Sequence, residues 1–108
     1  MKKTIDKLAL WASRNSYIKS VYIFGSRARK DFKIDSDLDI ALEIFKLPND
    51  DTTLTTWIGE RRKWTLQLEA ILPYKVDLNL LDFSEDSSNV LNGVKNDGKL
   101  VYKFFEKA

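Results

Sequence analysis

Apolar side chains recur along this chain with two different periods, and the switches between them mark out its elements. Over residues 2–15, Ile5, Leu8, Ala9 and Ala12 share one helical stripe, which predicts an amphipathic helix ending near Asn15 and Ser16. The run SVYIFG is β-branched and aromatic and stops at Gly25, as a buried strand does. SRARKDF has helix formers enough for about two turns, and KIDSD supplies turn residues. From Asp37 to Ile44 the alternation is strict, with Leu38, Ile40, Leu42 and Ile44 set against Asp37, Asp39, Ala41 and Glu43. That is a strand with one apolar face.

KLPNDDTT reads as a turn leading into a helix, over which Leu54, Trp57, Ile58, Trp64, Leu68 and Ile71 keep helical spacing up to Pro73. YKVDLNLLDF alternates again, Val76, Leu78 and Leu80 facing away from Asp77 and Asn79. The remainder predicts a short helix, a turn at Asp97-Gly98 and a final extended or helical stretch. Helix and strand take turns along the chain without repeat or linker, so residues 1–108 are expected to form one α/β or α+β domain.

Composition narrows the chemistry more than the fold. Among the 108 residues there is no cysteine and no histidine. Disulfides, thiolate metal sites, histidine bases and serine–histidine triads are therefore excluded. What remains is carboxylates, hydroxyls, basic side chains, backbone groups and a hard cation. The net charge of +2 gives no argument for nucleic acid. Asp6, Lys7 and Arg14 interrupt any leader-like apolar run, and no stretch reaches membrane-spanning length, so the cytoplasm is the expected compartment.

The candidate chemistry sits on two strands. Residues two apart on a strand share a face, roughly 6.5–7 Å apart at Cα. Asp37 and Asp39 therefore point the same way, and Asp77 holds the comparable place in the third strand. A single aspartate so placed is most simply a solvated surface group. Three together would raise one another's pKa values or demand a counter-charge, for which Mg²⁺ is the simplest candidate. If Gly25 and Asp37 serve the same site, their strands should lie antiparallel. Gly25 would then let backbone approach a ligand closely. Ser26 would offer a hydroxyl and neighbouring N–H groups, while Arg27, Arg29 and Lys30 would supply positive charge for polyphosphate oxygens. The stretch lacks the glycine spacing of a Walker loop or a Rossmann fingerprint.

GSRAR followed by SDLDIAL and later VDLNLL resembles the nucleotidyltransferase signature of the DNA polymerase β superfamily, in its smallest, MNT-type branch. The resemblance runs from Val21 to about Tyr102. It implies a mixed sheet with helices packed mainly on one side, two Mg²⁺ ions, and transfer of a nucleoside monophosphate from an NTP to a hydroxyl with release of pyrophosphate. On that reading Gly25 and Ser26 match the triphosphate-binding turn, Arg29 the arginine that follows it, Asp37 and Asp39 the metal pair, and Asp77 the third carboxylate. Lys30 departs from the glycine often found there.

Many members of this branch resemble antitoxins that adenylylate a tyrosine of a HEPN-domain ribonuclease toxin. The resemblance therefore implies ATP as substrate and a HEPN-type toxin as partner. Two alternatives stay open: an inactive antitoxin acting by contact alone, and a small-molecule nucleotidyltransferase. Trp57 and Trp64, one heptad apart, are either a partner-binding face or ordinary core, and aromatic stripes at helical spacing usually point inward.

Overall fold

The computed structural model describes residues 2–30, 36–83 and 89–105. Its elements are α1 (Lys2–Ser13), β1 (Ile18–Phe24), α2 (Gly25–Arg29), β2 (Leu38–Ile44), α3 (Thr53–Ile71), β3 (Val76–Leu80), α4 (Asn89–Asp97) and β4 (Lys99–Lys103). The strands form one sheet in the order β3-β2-β1-β4. β1 runs antiparallel to both β2 and β4, whereas β2 and β3 are parallel. A parallel pair cannot be joined by a hairpin, and α3 provides the crossover.

The strict alternation in β2 gives the sheet its two characters. Leu38, Ile40, Leu42 and Ile44 are buried with Val21 and Ile23 of β1. Against them pack Leu8 and Ala12 of α1 and Trp57, Trp64 and Leu68 of α3. The opposite face carries Asp39 and Ala41, and Ala41 is buried beneath Leu91 and Val94 of α4. The two long helices thus share one face, and α4 covers part of the other. The result is a small α+β domain with a mixed sheet.

Trp57 and Trp64 are core residues, only 6% and 1% exposed, with ring centroids 6.3 Å apart. The buried stripe of α3 is narrower than the sequence pattern predicts, since Leu54, Ile58 and Ile71 are exposed. Each residue advances about 100° round a helix. The line set by Trp57, Trp64 and Leu68 is filled by indole rings, and Ile58, one residue after Trp57, is carried off it. At its start α3 is capped by Thr52, whose hydroxyl accepts from the Thr55 N–H.

α2 is shorter than the two turns expected. It stops at Lys30, whose backbone is left-handed at φ 65° and whose N–H reaches back to Arg27 and Ser26 carbonyls. Most of the predicted KIDSD turn, residues 33–35, lies outside the described residues. Among the described residues no helix is long and apolar enough to cross a membrane.

Candidate active site

Three strand ends meet at one edge of the exposed face. Phe24, the last residue of β1, pairs with Asp39 in β2, and Asp39 pairs with Asp77 in β3. The Leu38 N–H donates to the Lys75 carbonyl at 2.8 Å, fixing the parallel register that sets the two carboxylates side by side. Gly25 turns the chain out of β1 with φ 76°. Its backbone lies so close to Asp39 that an added Cβ would strike Oδ2 and come within 3.0 Å of Cγ. Glycine is thus required there twice, for its dihedral and for its missing side chain.

The Asp39 carboxyl is pushed up to about 6. Burial is the largest cause, followed by a side-chain hydrogen bond and charge repulsion from Asp77, then the charge of Asp37. Arg29 acts in the opposite direction. Asp39 and Asp77 are therefore neighbouring carboxyl groups whose like charges favour a cation beside them. Asp37 is exposed, two residues before Asp39. Asn79, on the same face of β3, donates to the Asp77 carbonyl at 3.0 Å.

The basic residues of the turn divide into two kinds. Arg29 stands near the pair, half-exposed, and is held by Asp97 at the end of α4 at 3.2 Å. Arg27, expected to supply charge for phosphates, has another place. It is 6% exposed, and its Nε and Nη2 both donate to the Ser36 carbonyl, at 2.9 and 2.7 Å. Its guanidinium lies 4.2 Å from the Tyr74 ring centroid. A fork of two donors on one carbonyl, stacked on an aromatic ring, braces this part of the chain. It anchors the chain just ahead of Asp37. Ser26 is partly buried at the first turn of α2.

Among the described residues no three Asp, Glu, His or Cys side chains are gathered as a ready-made ion cage. The donor set nonetheless suits a hard divalent cation, being all carboxylate oxygen, and the mutual repulsion that raises Asp39 would be relieved by positive charge there. The missing side chain at Gly25 is what lets the Asp39 carboxylate sit against the backbone that leaves β1.

The polymerase beta nucleotidyltransferase profile matches residues 6–106, nearly the whole chain. The chain belongs to the polymerase beta nucleotidyltransferase family. Comparison with curated proteins gives no match. Among solved structures, a toxin–antitoxin complex with AMP-PNP aligns at TM-score 0.62 and 26% identity, over 95% of this chain and 73% of that chain. An MntA–HpeT toxin–antitoxin mutant aligns at TM-score 0.62 and 24% identity, over 96% of this chain and 74% of that one. A tri-AMPylated Shewanella oneidensis HEPN toxin in complex with an MNT antitoxin aligns at 0.61 and 23%, over 95% and 72%. The last two likenesses are of fold.

Several residues that shape this nucleotidyltransferase's site escaped the sequence pattern. Asp97 reads as half of a turn with Gly98 and in fact tethers Arg29. Tyr74 follows Pro73 with no periodic signal, yet it forms the floor under Arg27. Gly93 lets α4 press against the Phe24 ring, where an added Cβ would come to 2.8 Å of Cδ2. Lys30 takes the left-handed backbone that glycine adopts freely.

Proposed function

We propose that the chain transfers AMP from ATP to a hydroxyl of a separate protein, a HEPN-type toxin, and thereby acts as an antitoxin. The observation that carries the reading is the Asp39–Asp77 carboxyl pair packed against the backbone of Gly25. Family membership supplies the reaction class, and the toxin–antitoxin likeness with AMP-PNP supports an adenine nucleotide and a toxin partner. A tyrosine of a HEPN-type toxin is the acceptor that the sequence resemblance implies.

Asp37, Asp39 and Asp77 would hold Mg²⁺. Bound there, the ions would neutralise the triphosphate and lower the pKa of the acceptor hydroxyl. Gly25 and Ser26 admit the phosphates to the rim of the carboxylate pair. Arg29, fixed by Asp97, presents positive charge beside Asp39. Arg27 acts indirectly, holding the Ser36 carbonyl so that Asp37 and Asp39 start β2 in a fixed place. The acceptor oxygen forms a bond to the α-phosphorus as the bond to the bridging oxygen breaks and pyrophosphate leaves. Asp77 takes the hydroxyl proton. A tyrosine suits this chemistry, because its ordinary pKa near 10 is far below that of an alkyl alcohol.

The test is intact-mass analysis of the toxin after incubation with ATP and Mg²⁺. An AMP-sized gain mapped to tyrosine, and lost in Asp37→Ala/Asp39→Ala, is expected. If the toxin stays unmodified while its ribonuclease is blocked, contact alone is the mechanism.

A further inference from the structure

A groove between α1 and α3 lies on the outer side of the helices, across the sheet from the carboxylate pair. It has a cavity volume of about 970 Å³. Its lining at Asn15, Ser16 and Tyr17 adjoins the start of β1, whereas Gly25 follows the end of that strand. The groove therefore lies on the opposite face of the sheet from the transfer site.

Its floor is apolar and aromatic: Leu10, Trp11, Tyr17, Trp64 and Ile71. Leu10 is 51% exposed and Ile71 39%, a large exposure for side chains that converge on one cleft. The rim carries Lys7, Arg14 and Lys63, and no carboxylate among the described residues lines it. Lys63 is bridged to Glu60 at 2.8 Å. Lys7 and Arg14 make no ion pair among the described residues.

We infer that this groove binds an acidic amphipathic helix of a partner protein. Charge complementarity selects acid, since every charged group on the rim is cationic. Shape selects a helix, because a cleft between two helices with apolar residues along its floor accepts the apolar stripe of a third. The Arg14 N–H bonds the Leu10 carbonyl, so Arg14 continues the turn of α1. Lys7 and Arg14 then stand about 10 Å apart along the helix axis, at 1.5 Å per residue. That spacing matches acids seven positions apart on the incoming helix.

The aromatic groups argue against a nucleic acid. Base stacking needs an open ring face. Trp64 is 1% exposed, and Trp11 meets it edge-on at 6.4 Å and 80° while its indole N–H donates to Gln67 at 3.0 Å. Trp11 and Trp64 are fixed by each other and by Gln67, with Trp64 too buried to offer a face to a base. The groove gives the chain a means of holding a partner that does not use the carboxylates.

The test needs no ATP, so it stands apart from the transferase reading. Three fluorescent probes are titrated against the full chain by anisotropy. The first is a capped fifteen-residue helix with Leu at i, i+4, i+7 and i+11 and Glu on the flanks. The second is the same peptide with Lys for every Glu, and the third a single-stranded RNA twelve-mer. The Glu peptide is expected to bind at least tenfold more tightly than either of the others. Its affinity should fall several-fold between 50 and 500 mM salt, and Lys7→Glu/Arg14→Glu should invert the preference in favour of the Lys peptide. Both positions are free of internal ion pairs, so circular dichroism of that variant should match wild type. Should it fail to fold, the salt dependence of the wild type decides alone. Equal binding of the two peptides, absence of peptide binding, salt-independent binding of the Glu peptide, or tighter binding of the RNA overturns the inference.

Discussion

Gly25 and Asp39 are packed so that the carboxylate of Asp39 occupies the space a side chain at position 25 would need. Two strands that could splay apart are kept in contact at the point where the site opens. Gly25→Ala is therefore expected to destabilise the fold by about 1–3 kcal/mol, through the left-handed dihedral and the collision together. Nucleotide affinity should fall as well. Thermal unfolding and calorimetry with Mg·ATP measure the two effects, and an unchanged Tm would contradict the packing.

The raised Asp39 carboxyl makes stability depend on pH in a definite sense. Below the ordinary carboxylate pKa near 3.8 the group is protonated folded or unfolded, and nothing is lost. As pH rises towards about 6 the unfolded chain releases its proton first, so stability falls across that window and then levels. Asp39→Asn imitates the protonated acid. The difference in Tm between this variant and wild type should grow in the variant's favour from pH 4 to pH 6.5. Added Mg²⁺ should raise the wild-type Tm more at pH 7 than at pH 5, and a pH-independent difference would rule out the raised Asp39 carboxyl.

Arg27 tests whether the brace matters to the site. Arg27→Lys keeps the charge but cannot fork onto the Ser36 carbonyl, and a loss of roughly 1–3 kcal/mol is expected. The turnover of the remaining folded protein should fall further than its ATP affinity, because the displaced element is the start of β2. Parallel losses in both would mean that Arg27 contacts the nucleotide after all.

Asp77 and Asp39 should differ in role. Asp77→Asn is expected to reduce transfer by 10²-fold or more, the scale of a lost general base, while Mg·ATP binding declines little. Asp39→Asn should impair both. Equal affinity losses by calorimetry would refute the division.

Lys30 offers a prediction of opposite sign. A lysine in left-handed backbone is strained by about 1 kcal/mol relative to glycine. Lys30→Gly should accordingly raise stability by up to that amount in denaturant unfolding. A destabilised variant would mean that the lysine side chain makes a contact worth more than the strain.

Most of the sheet was legible because its strands alternate: Leu38 and Ile40 against Asp37 and Asp39 can be satisfied by only one facing. The pairing of Asp39 with Asp77 also followed, once two strands began alike. The role of Arg27 was not legible, since an arginine one residue from Ser26 looks the same whether it reaches outward to phosphate or inward to a carbonyl. Its direction depends on Tyr74, which is distant in sequence. The exposure of Leu54 and Ile58 was hidden for a related reason. Helical spacing tells which residues share a stripe, and it does not tell how wide a stripe two tryptophans leave room for.

The order of the strands has a consequence for how the protein is made. β1 lies inside the sheet, yet one of its neighbours is β4, so Ile23 cannot complete its hydrogen bonding until Lys99 has been synthesised. α4, which carries Asp97 to Arg29 and Gly93 to Phe24, arrives just before it. A nascent chain on the ribosome can therefore assemble the hydrophobic side of the sheet while the nucleotide side is still open. Catalytic competence comes with the last elements to emerge, and partly translated chains carry the carboxylates without the frame that aims them.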